Sequence, residues 1–178
     1  QEIARLAAVL RPLDLLENVL MPLLVRVGDD WERGYAGIAH EHVLSSTIRS
    51  ILGSLLRLYP RPDAPARLLF ATPSGERHEI GTLGAAVLAA SSGLDVAYLG
   101  PDLPASEIVA SVTSAGVDVL VLGLTMAEAG ESQESEVRTI VRDLPHDVEL
   151  WAGGRGAERH TAIIRPRGLV FADYKSYQ

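Results

Sequence analysis

One histidine with acidic neighbours stands out in the sequence as a candidate metal ligand. In the segment Glu76-Arg77-His78-Glu79-Ile-Gly81, a carboxylate lies two residues before the imidazole. A metal-bound imidazole commonly donates its second ring N–H to such a carboxylate, and Glu76 is well placed to accept it. A loop histidine with purely structural hydrogen bonds is the more frequent case, so this segment alone is a weak indication.

Like the histidine segment, two further segments follow short apolar runs of the sequence. Gly123-Leu-Thr125 and Gly153-Gly154 each directly follow such a run. If the runs are parallel strands, their carboxyl ends lie at one edge of the sheet, where ligands of open α/β sheets bind. We therefore expect the three segments to contribute to one site.

The spacing of these segments is specific. Gly81 and Gly123 are separated by 41 residues, and Thr125 and Gly153 by 27 residues. The arrangement resembles the cobalamin-binding signature, in which Asp-x-His-x-x-Gly, Ser-x-Leu or Ser-x-Thr, and Gly-Gly follow one another at such distances. Two positions depart from it, because Glu76 stands for the Asp and Gly123 for the Ser.

The resemblance implies a cofactor and a set of binding residues. His78 would replace the nucleotide base of cobalamin as the lower axial ligand of cobalt, and the displaced nucleotide tail would enter a slot between the sheet and its helices. Gly153 and Gly154 would let the backbone pass close to that tail. The rest of this part of the site would be formed by Glu76, Arg77, Glu79, Gly81, Gly123 and Thr125.

A second motif lies upstream, where Trp31 is followed after nine residues by Glu41-His42. A bundle-anchoring indole and a solvated acid–histidine pair would explain these residues if they stood alone. Together with the downstream signature they resemble the CarH/LitR family of light-responsive, MerR-type regulators. The resemblance implies a helical bundle above adenosylcobalamin, in which Trp31 stacks on the adenosyl group, Glu41 binds the ribose or adenine, and His42 lines the pocket.

One position departs from the light-sensing members of that family. They carry, directly after the Trp, a histidine that takes up cobalt once the cobalt–carbon bond breaks, whereas this chain has Glu32. His40 and His42 lie nearby but not at that position.

The elements that must hold these motifs fall into two parts. Apolar residues at three- and four-residue steps predict amphipathic helices over about 2–10, 13–30 and 38–59, which would pack as an N-terminal bundle of residues 1–59. Pro22 lies inside the second helix and should kink it. Three prolines within the seven residues Tyr59–Pro65 indicate a linker over 60–66.

The remainder, residues 67–178, has the pattern of an α/β domain. Continuous apolar runs that alternate with helical periodicity indicate a parallel sheet covered on both faces. We therefore predict a Rossmann-like, open, five-stranded parallel sheet flanked by helices. Its strands would be 68–71, 96–99, 119–122, 148–151 and 169–171, with helices after the first four.

Composition limits the possible functions. The 178 residues include 16 basic and 23 acidic side chains, a net charge of −7, which argues against direct nucleic-acid binding. DNA contact would need a separate domain before Gln1, where the chain reads as the continuation of a longer protein. There is no cysteine and no apolar stretch of about 20 residues, so we expect a cytoplasmic chain without thiolate chemistry or a membrane span. His146 and His160 are expected at the surface.

The leading hypothesis is therefore a sensor region of a transcriptional regulator and not an enzyme, since no nucleophile–base pair is evident. Adenosylcobalamin would hold the bundle in place, and photolysis of its cobalt–carbon bond would move the bundle and change the contacts of a homo-oligomer, either a dimer or a tetramer. One alternative is a corrinoid carrier or the cobalamin domain of a methyltransferase or mutase system. A third is an interaction module that has lost its cofactor.

Overall fold

The structure is a computed structural model that describes residues 2–34, 37–59, 61, 63–126, 131–171 and 173–174, without the side chains of residues 4, 31 and 32. The chain divides into two units, Gln1–Tyr59 and Pro60–Gln178. In the described residues the first unit is helical, and the second contains the sheet.

The helical unit is built from segments that correspond to the three predicted helices. They are α1 (Glu2–Val9), α2 (Pro12–Leu15), a π-helical turn (Leu16–Leu20), α3 (Met21–Glu32) and α4 (Ile38–Leu56). Pro12 occupies the start of α2, where the missing N–H of proline costs nothing.

The second predicted helix, 13–30, is helical from Pro12 to Glu32, and a π-helical turn interrupts its α-helical pattern just before Pro22, the residue at which a kink was predicted. Pro22 has no N–H to donate to the carbonyl four residues earlier, so a regular α-helical ladder cannot run through this point. Instead the Met21 N–H donates to the Leu16 carbonyl, five residues back. The proline is therefore accommodated by a widened turn on its N-terminal side.

The core of the helical unit lies at this widened turn and in the middle of α4. Leu15, Leu16 and Leu20 are fully buried, as are Ile48 and Leu52. Val43 of α4 and Leu58, which follows the helix, belong to the predicted apolar face but are 68% and 70% exposed, so the face predicted over 38–59 is buried only at its centre.

The second unit is a five-stranded parallel sheet in the order β2-β1-β3-β4-β5, which confirms the predicted fold class. The strands are β1 (Arg67–Pro73), β2 (Asp95–Leu103), β3 (Val119–Gly123), β4 (Glu149–Gly153) and β5 (Gly168–Phe171). The helices between them are α5 (Ile80–Ser91), α6 (Ala105–Ala115), α7 (Glu131–Asp143) and α8 (Thr161–Ile164), with a 3₁₀ turn at Ala157–His160.

The sheet is covered by helices on both faces. On one face Leu69 and Leu120 pack with Ile108 of α6 and Val137 of α7 in the main hydrophobic core. Phe70 alternates with Leu69 along β1 and lies on the opposite face, where α5 packs against β1, β2 and β3. This arrangement explains why β1 is buried over Leu68–Pro73 and reads as an uninterrupted apolar strand.

The strand order also fixes where a ligand can bind. From β1 the chain passes to the edge strand β2, then crosses back to β3 and continues outward through β4 and β5. The order therefore reverses between β1 and β3, and the loops that leave these two strands form the sides of a crevice. Among the described residues, no helix combines the length and apolar character that a membrane span requires.

Candidate functional site

The buried side chain of Glu76 is the centre of the candidate site. Its Oε1 accepts the backbone N–H of His78 at 2.9 Å and lies 2.8 Å from His78 Nδ1. Its Oε2 accepts the backbone N–H groups of Thr125 at 2.6 Å and Met126 at 2.8 Å. One carboxylate thus joins the loop after β1 to the loop after β3, at the point where the strand order reverses.

The contacts of Glu76 determine the orientation and tautomer of His78. Each of the four groups around the carboxylate can act as an N–H donor to it. A carboxylate can only accept, so Nδ1 of His78 is the donor in this contact, and in the neutral tautomer that fits it the lone pair lies on Nε2. The His78 side chain is 64% exposed while Glu76 is fully buried. The site therefore presents one oriented imidazole nitrogen for coordination.

The loop that carries His78 is fixed to the end of β2 by Asp102. This residue has a positive φ of 61°, and its backbone N–H donates to Thr72 Oγ1 at 3.0 Å. Its Oδ1 accepts the Gly75 N–H at 2.8 Å, and its Oδ2 accepts Arg77 Nε at 3.2 Å. The Gly75 hydrogen bond, with the Arg77 charge adding to it, lowers the pKa of Asp102. Asp102 consequently positions the histidine loop from a neighbouring strand.

The other polar residues of the predicted signature are used within the protein. Arg77 is exposed and pairs with Asp102. Glu79 is buried and accepts the Tyr98 hydroxyl at 2.6 Å. Both residues therefore fix the loop to β2, on either side of His78.

The glycines after β4 allow two loops to pack backbone against backbone. Gly154 has a φ of 104°, and a Cβ atom there would lie 2.5 Å from the Leu124 carbonyl oxygen. A Cβ at Gly156 would lie 2.5 Å from the Met126 carbonyl oxygen. At Gly153 the nearest atom to such a Cβ is the Phe171 carbonyl oxygen at 3.9 Å, which is an ordinary van der Waals contact.

The two remaining glycines of the signature lie near the start of α5. A Cβ on Gly81 would make only an ordinary contact with the Tyr174 hydroxyl at 3.7 Å, and this hydroxyl donates to the Gly81 carbonyl at 3.0 Å. Burial raises the pKa of Tyr174 to about 12. Gly123, by contrast, has no room for a side chain, because Thr82 Oγ1 would lie 1.7 Å from its Cβ.

In the helical unit, Glu41 and His42 lie near the start of α4. Glu41 accepts the Ser45 hydroxyl one turn later, and its Oε2 lies 3.2 Å from Nδ1 of the exposed His42. The apolar Ile38 is 61% exposed in the same part of the helix. Trp31 lies in the last turn of α3, and its side chain is outside the described part of the structure.

Several residues of the site were not found in the sequence. Asp102 and Tyr98 come from β2, and the Met126 contribution is a backbone N–H, for which no side-chain signature exists. Gly156 could have been found from the run Gly153-Gly-Arg-Gly156, and Thr82 from its position directly after Gly81.

One histidine was placed wrongly in the sequence analysis. His160 was expected at the surface but is 2% exposed, packed where the 3₁₀ turn meets α8. Its Nε2 has no hydrogen-bond partner among the described residues. Burial lowers its pKa, with the Arg159 charge adding to the effect and Glu134 opposing it. His146 is exposed, as expected.

Comparison with known proteins relates both units to corrinoid-binding proteins. Residues 2–56 match the family model described as B12 binding domain. The chain is 34% identical over 156 residues to the HTH-type transcriptional repressor CarH of Myxococcus xanthus, covering 88% of this chain and 52% of that protein. It is 22% identical over 152 residues to the dimethylamine corrinoid protein of Methanosarcina barkeri, covering 83% of this chain and 71% of that protein.

A solved structure supports the architecture over almost the whole chain. The monomethylamine corrinoid protein of Methanosarcina barkeri superposes with a TM-score of 0.73 at 19% identity, covering 98% of this chain and 85% of that one. At this identity the match bears on the fold alone. The match to CarH confirms the resemblance predicted from the sequence, although the chain spans only about half the length of that repressor.

Proposed function

We propose that this chain is the adenosylcobalamin-binding sensor region of a cytoplasmic transcriptional regulator and that it does not itself catalyse a reaction. The observation that carries the proposal is the exposed His78 imidazole, oriented by a fully buried carboxylate at the β1–β3 crevice. The identity to a transcriptional repressor over 88% of the chain supports the regulatory assignment.

The residues present fit a cobalt-containing cofactor. A metal ligand needs a free imidazole lone pair and a fixed ring, and Glu76 provides both by holding Nδ1. His78 would supply Nε2 as the lower axial ligand. A Cβ at Gly153 would make only an ordinary contact, at 3.9 Å, so the protein does not crowd the backbone at this sheet edge, where the nucleotide tail would pass. When bound, adenosylcobalamin supplies a cobalt centre and a light-sensitive cobalt–carbon bond.

The helical unit would hold the adenosyl group. We assign Trp31 to stacking on the adenine, Glu41 to the ribose hydroxyls or the adenine, and His42 to the pocket wall. Residues 1–59 would then be the capping domain, 60–66 the linker and 67–178 the cobalamin-binding domain. Loss of the adenosyl group would release the cap and change the assembly of a homo-oligomer, which would contact DNA through a separate N-terminal domain.

The ligand assignment is tested with the purified chain and adenosylcobalamin in the dark. We expect the wild-type chain to turn red and to elute with the cofactor, with an absorbance spectrum that shows histidine in place of the nucleotide base. His78→Ala should return the spectrum to a base-ligated or solvent-ligated form and weaken binding at least tenfold. His146→Ala is the matched control, because His146 is an exposed histidine in the same unit.

The result would contradict the proposal if the wild-type chain remained colourless after gel filtration. An unchanged spectrum in the His78→Ala variant would contradict the ligand assignment while leaving cofactor binding in place.

A corrinoid carrier of a methyltransferase system is the second candidate, favoured by the 22% identity to a dimethylamine corrinoid protein. The two functions differ in the upper ligand, because a sensor needs the adenosyl group and a carrier needs a methyl group. Affinities for adenosylcobalamin and methylcobalamin, measured in the dark on wild type and Trp31→Ala, separate them. A sensor should prefer the adenosyl form and lose that preference in the variant, whereas a carrier should show no such preference.

A further inference from the structure

The end of β3 and the start of α5 interlock through a threonine hydroxyl. A Cβ built on Gly123 would lie 1.7 Å from Thr82 Oγ1 and 3.0 Å from Thr82 Cβ. Real Cβ atoms do not approach other atoms so closely, so the Thr82 hydroxyl fills the space that a side chain at position 123 would need. Thr82 is 5% exposed, so the hydroxyl is held within the protein and not in bulk solvent.

The position of this hydroxyl places it in the candidate site. Gly123 is the last residue of β3, and Thr82 lies in the first turn of α5, four residues after His78. The methyl group of Thr72, from β1, would lie 3.1 Å from the same Cβ. The Thr82 hydroxyl therefore lies between α5 and the carboxyl ends of β1 and β3, the two strands that form the crevice.

Two other threonine hydroxyls lie near this crevice, and their surroundings differ. Thr72 Oγ1 donates to the Glu76 carbonyl and accepts the Asp102 N–H, so it is already used to shape the histidine loop. Thr125 Oγ1 lies 3.4 Å from the Cβ position of Gly154, on the side of the loop after β4. Thr82 is thus the threonine whose hydroxyl lies at the place of the absent side chain of residue 123.

We propose that Thr82 is a binding residue for the nucleotide tail of cobalamin, and that its hydroxyl makes the polar contact that a side chain at position 123 cannot make in this chain. The inference rests on the proposed cobalamin binding. A helix residue would then supply the tail contact from α5, and Gly123 would be glycine because Thr82 occupies its side-chain space.

A matched pair of substitutions separates a binding role from simple space filling. Thr82→Val keeps the volume and branching of the side chain but removes the hydroxyl, whereas Thr82→Ser keeps the hydroxyl and removes a methyl group. Binding is measured in the dark with adenosylcobalamin and with adenosylcobinamide, which has the same corrin ring but no nucleotide tail. Thermal unfolding of each variant without ligand records whether the fold is intact.

We expect Thr82→Val to weaken adenosylcobalamin binding about three- to tenfold, the factor associated with one hydrogen bond, and to leave adenosylcobinamide binding unchanged. Thr82→Ser should bind both compounds as the wild type does. Gly123→Ser alone should clash with Thr82, and the double variant Thr82→Ala/Gly123→Ser should recover binding relative to Gly123→Ser because it moves the hydroxyl from the helix to the strand.

The inference would be overturned if Thr82→Val bound adenosylcobalamin as well as wild type, or if it weakened both compounds equally. A wild-type chain that bound neither compound would instead overturn the proposed function. A wild-type chain that bound both with equal affinity would show that the tail is not held, and would overturn the inference alone.

Discussion

At the scale of single residues, the two adjacent glycines at the end of β4, Gly153 and Gly154, have different tasks. Gly154 combines a positive φ with a 2.5 Å approach to a carbonyl oxygen, whereas a Cβ at Gly153 would make only an ordinary contact at 3.9 Å. A Cβ at Gly154 would push the loop after β4 away from the loop after β3. The Glu76 contacts to Thr125 and Met126 depend on the position of the loop after β3.

Gly154→Ala should therefore lower the free energy of unfolding by about 2–4 kcal/mol, since it adds both backbone strain and a steric clash. Gly153→Ala should change it by less than about 1 kcal/mol and serves as the adjacent control. Urea unfolding followed by circular dichroism gives both values. Equal destabilisation by the two substitutions would show that the close approach at Gly154 is not what constrains the loop.

The sequence could predict the pair Glu76 and His78 but not the full hydrogen-bond network of the carboxylate. A spacing of two residues in a loop brings the side chains together locally, and the structure has the expected 2.8 Å contact. The Thr125 and Met126 partners are backbone N–H groups from a loop about 50 positions away, and any residue type except proline provides such a donor. Glu76 was interpreted as an orienting group and is also the link between two loops.

At the scale of elements, features that depend on the local sequence could again be predicted, whereas features that depend on the surrounding structure could not. The strands could be predicted from short apolar runs, because a strand that is buried on both faces consists mostly of apolar residues. The helices could be predicted from the helical periodicity between these runs. The π-helical turn before Pro22 depends on how the chain accommodates a missing donor, and apolar periodicity continues through it unchanged. His160 was misplaced because a histidine near a helix end has no local feature that indicates which face is buried.

The buried His160 should make the stability of the α/β unit depend on pH. Its pKa lies below the ordinary value of 6.5 because burial disfavours the charged ring. The unfolded chain therefore binds the proton more readily than the folded one. The stabilisation is fully present above pH 6.5 and is lost as the pH falls, with a slope of up to about 1.4 kcal/mol per pH unit for one proton.

His160→Leu should reduce this slope between pH 7.5 and 5.5, because it removes the titrating group from its buried position where the 3₁₀ turn meets α8. His146→Gln, at an exposed position, should leave the slope as in the wild type. Urea unfolding at several pH values is the measurement. Identical slopes in wild type and His160→Leu would assign the acid sensitivity to other groups.

At the scale of the whole molecule, the chain consists of a helical unit and an α/β unit joined by a segment with three prolines within residues 59–65. A cofactor bound by both units would favour one arrangement only by the difference in its affinity for the two arrangements. Changing the fraction of one arrangement from a tenth to nine tenths requires a difference of about 80-fold. If the adenosyl group is contacted only by the helical unit, this contact would have to provide much of that difference in affinity.

Illumination of the adenosylcobalamin-loaded chain should therefore change its oligomeric state, because it removes the group that the helical unit is proposed to hold. Molar mass is measured by size-exclusion chromatography with light scattering, in the dark and after green light, at the same protein concentration. A sample loaded with cyanocobalamin, which has no adenosyl group, should show the same mass before and after illumination. If the adenosylcobalamin-loaded chain also kept its mass after complete photolysis, the helical unit would not transmit the loss of the adenosyl group to subunit contacts. The photosensory part of the proposal would then be wrong even if His78 were confirmed as the lower ligand.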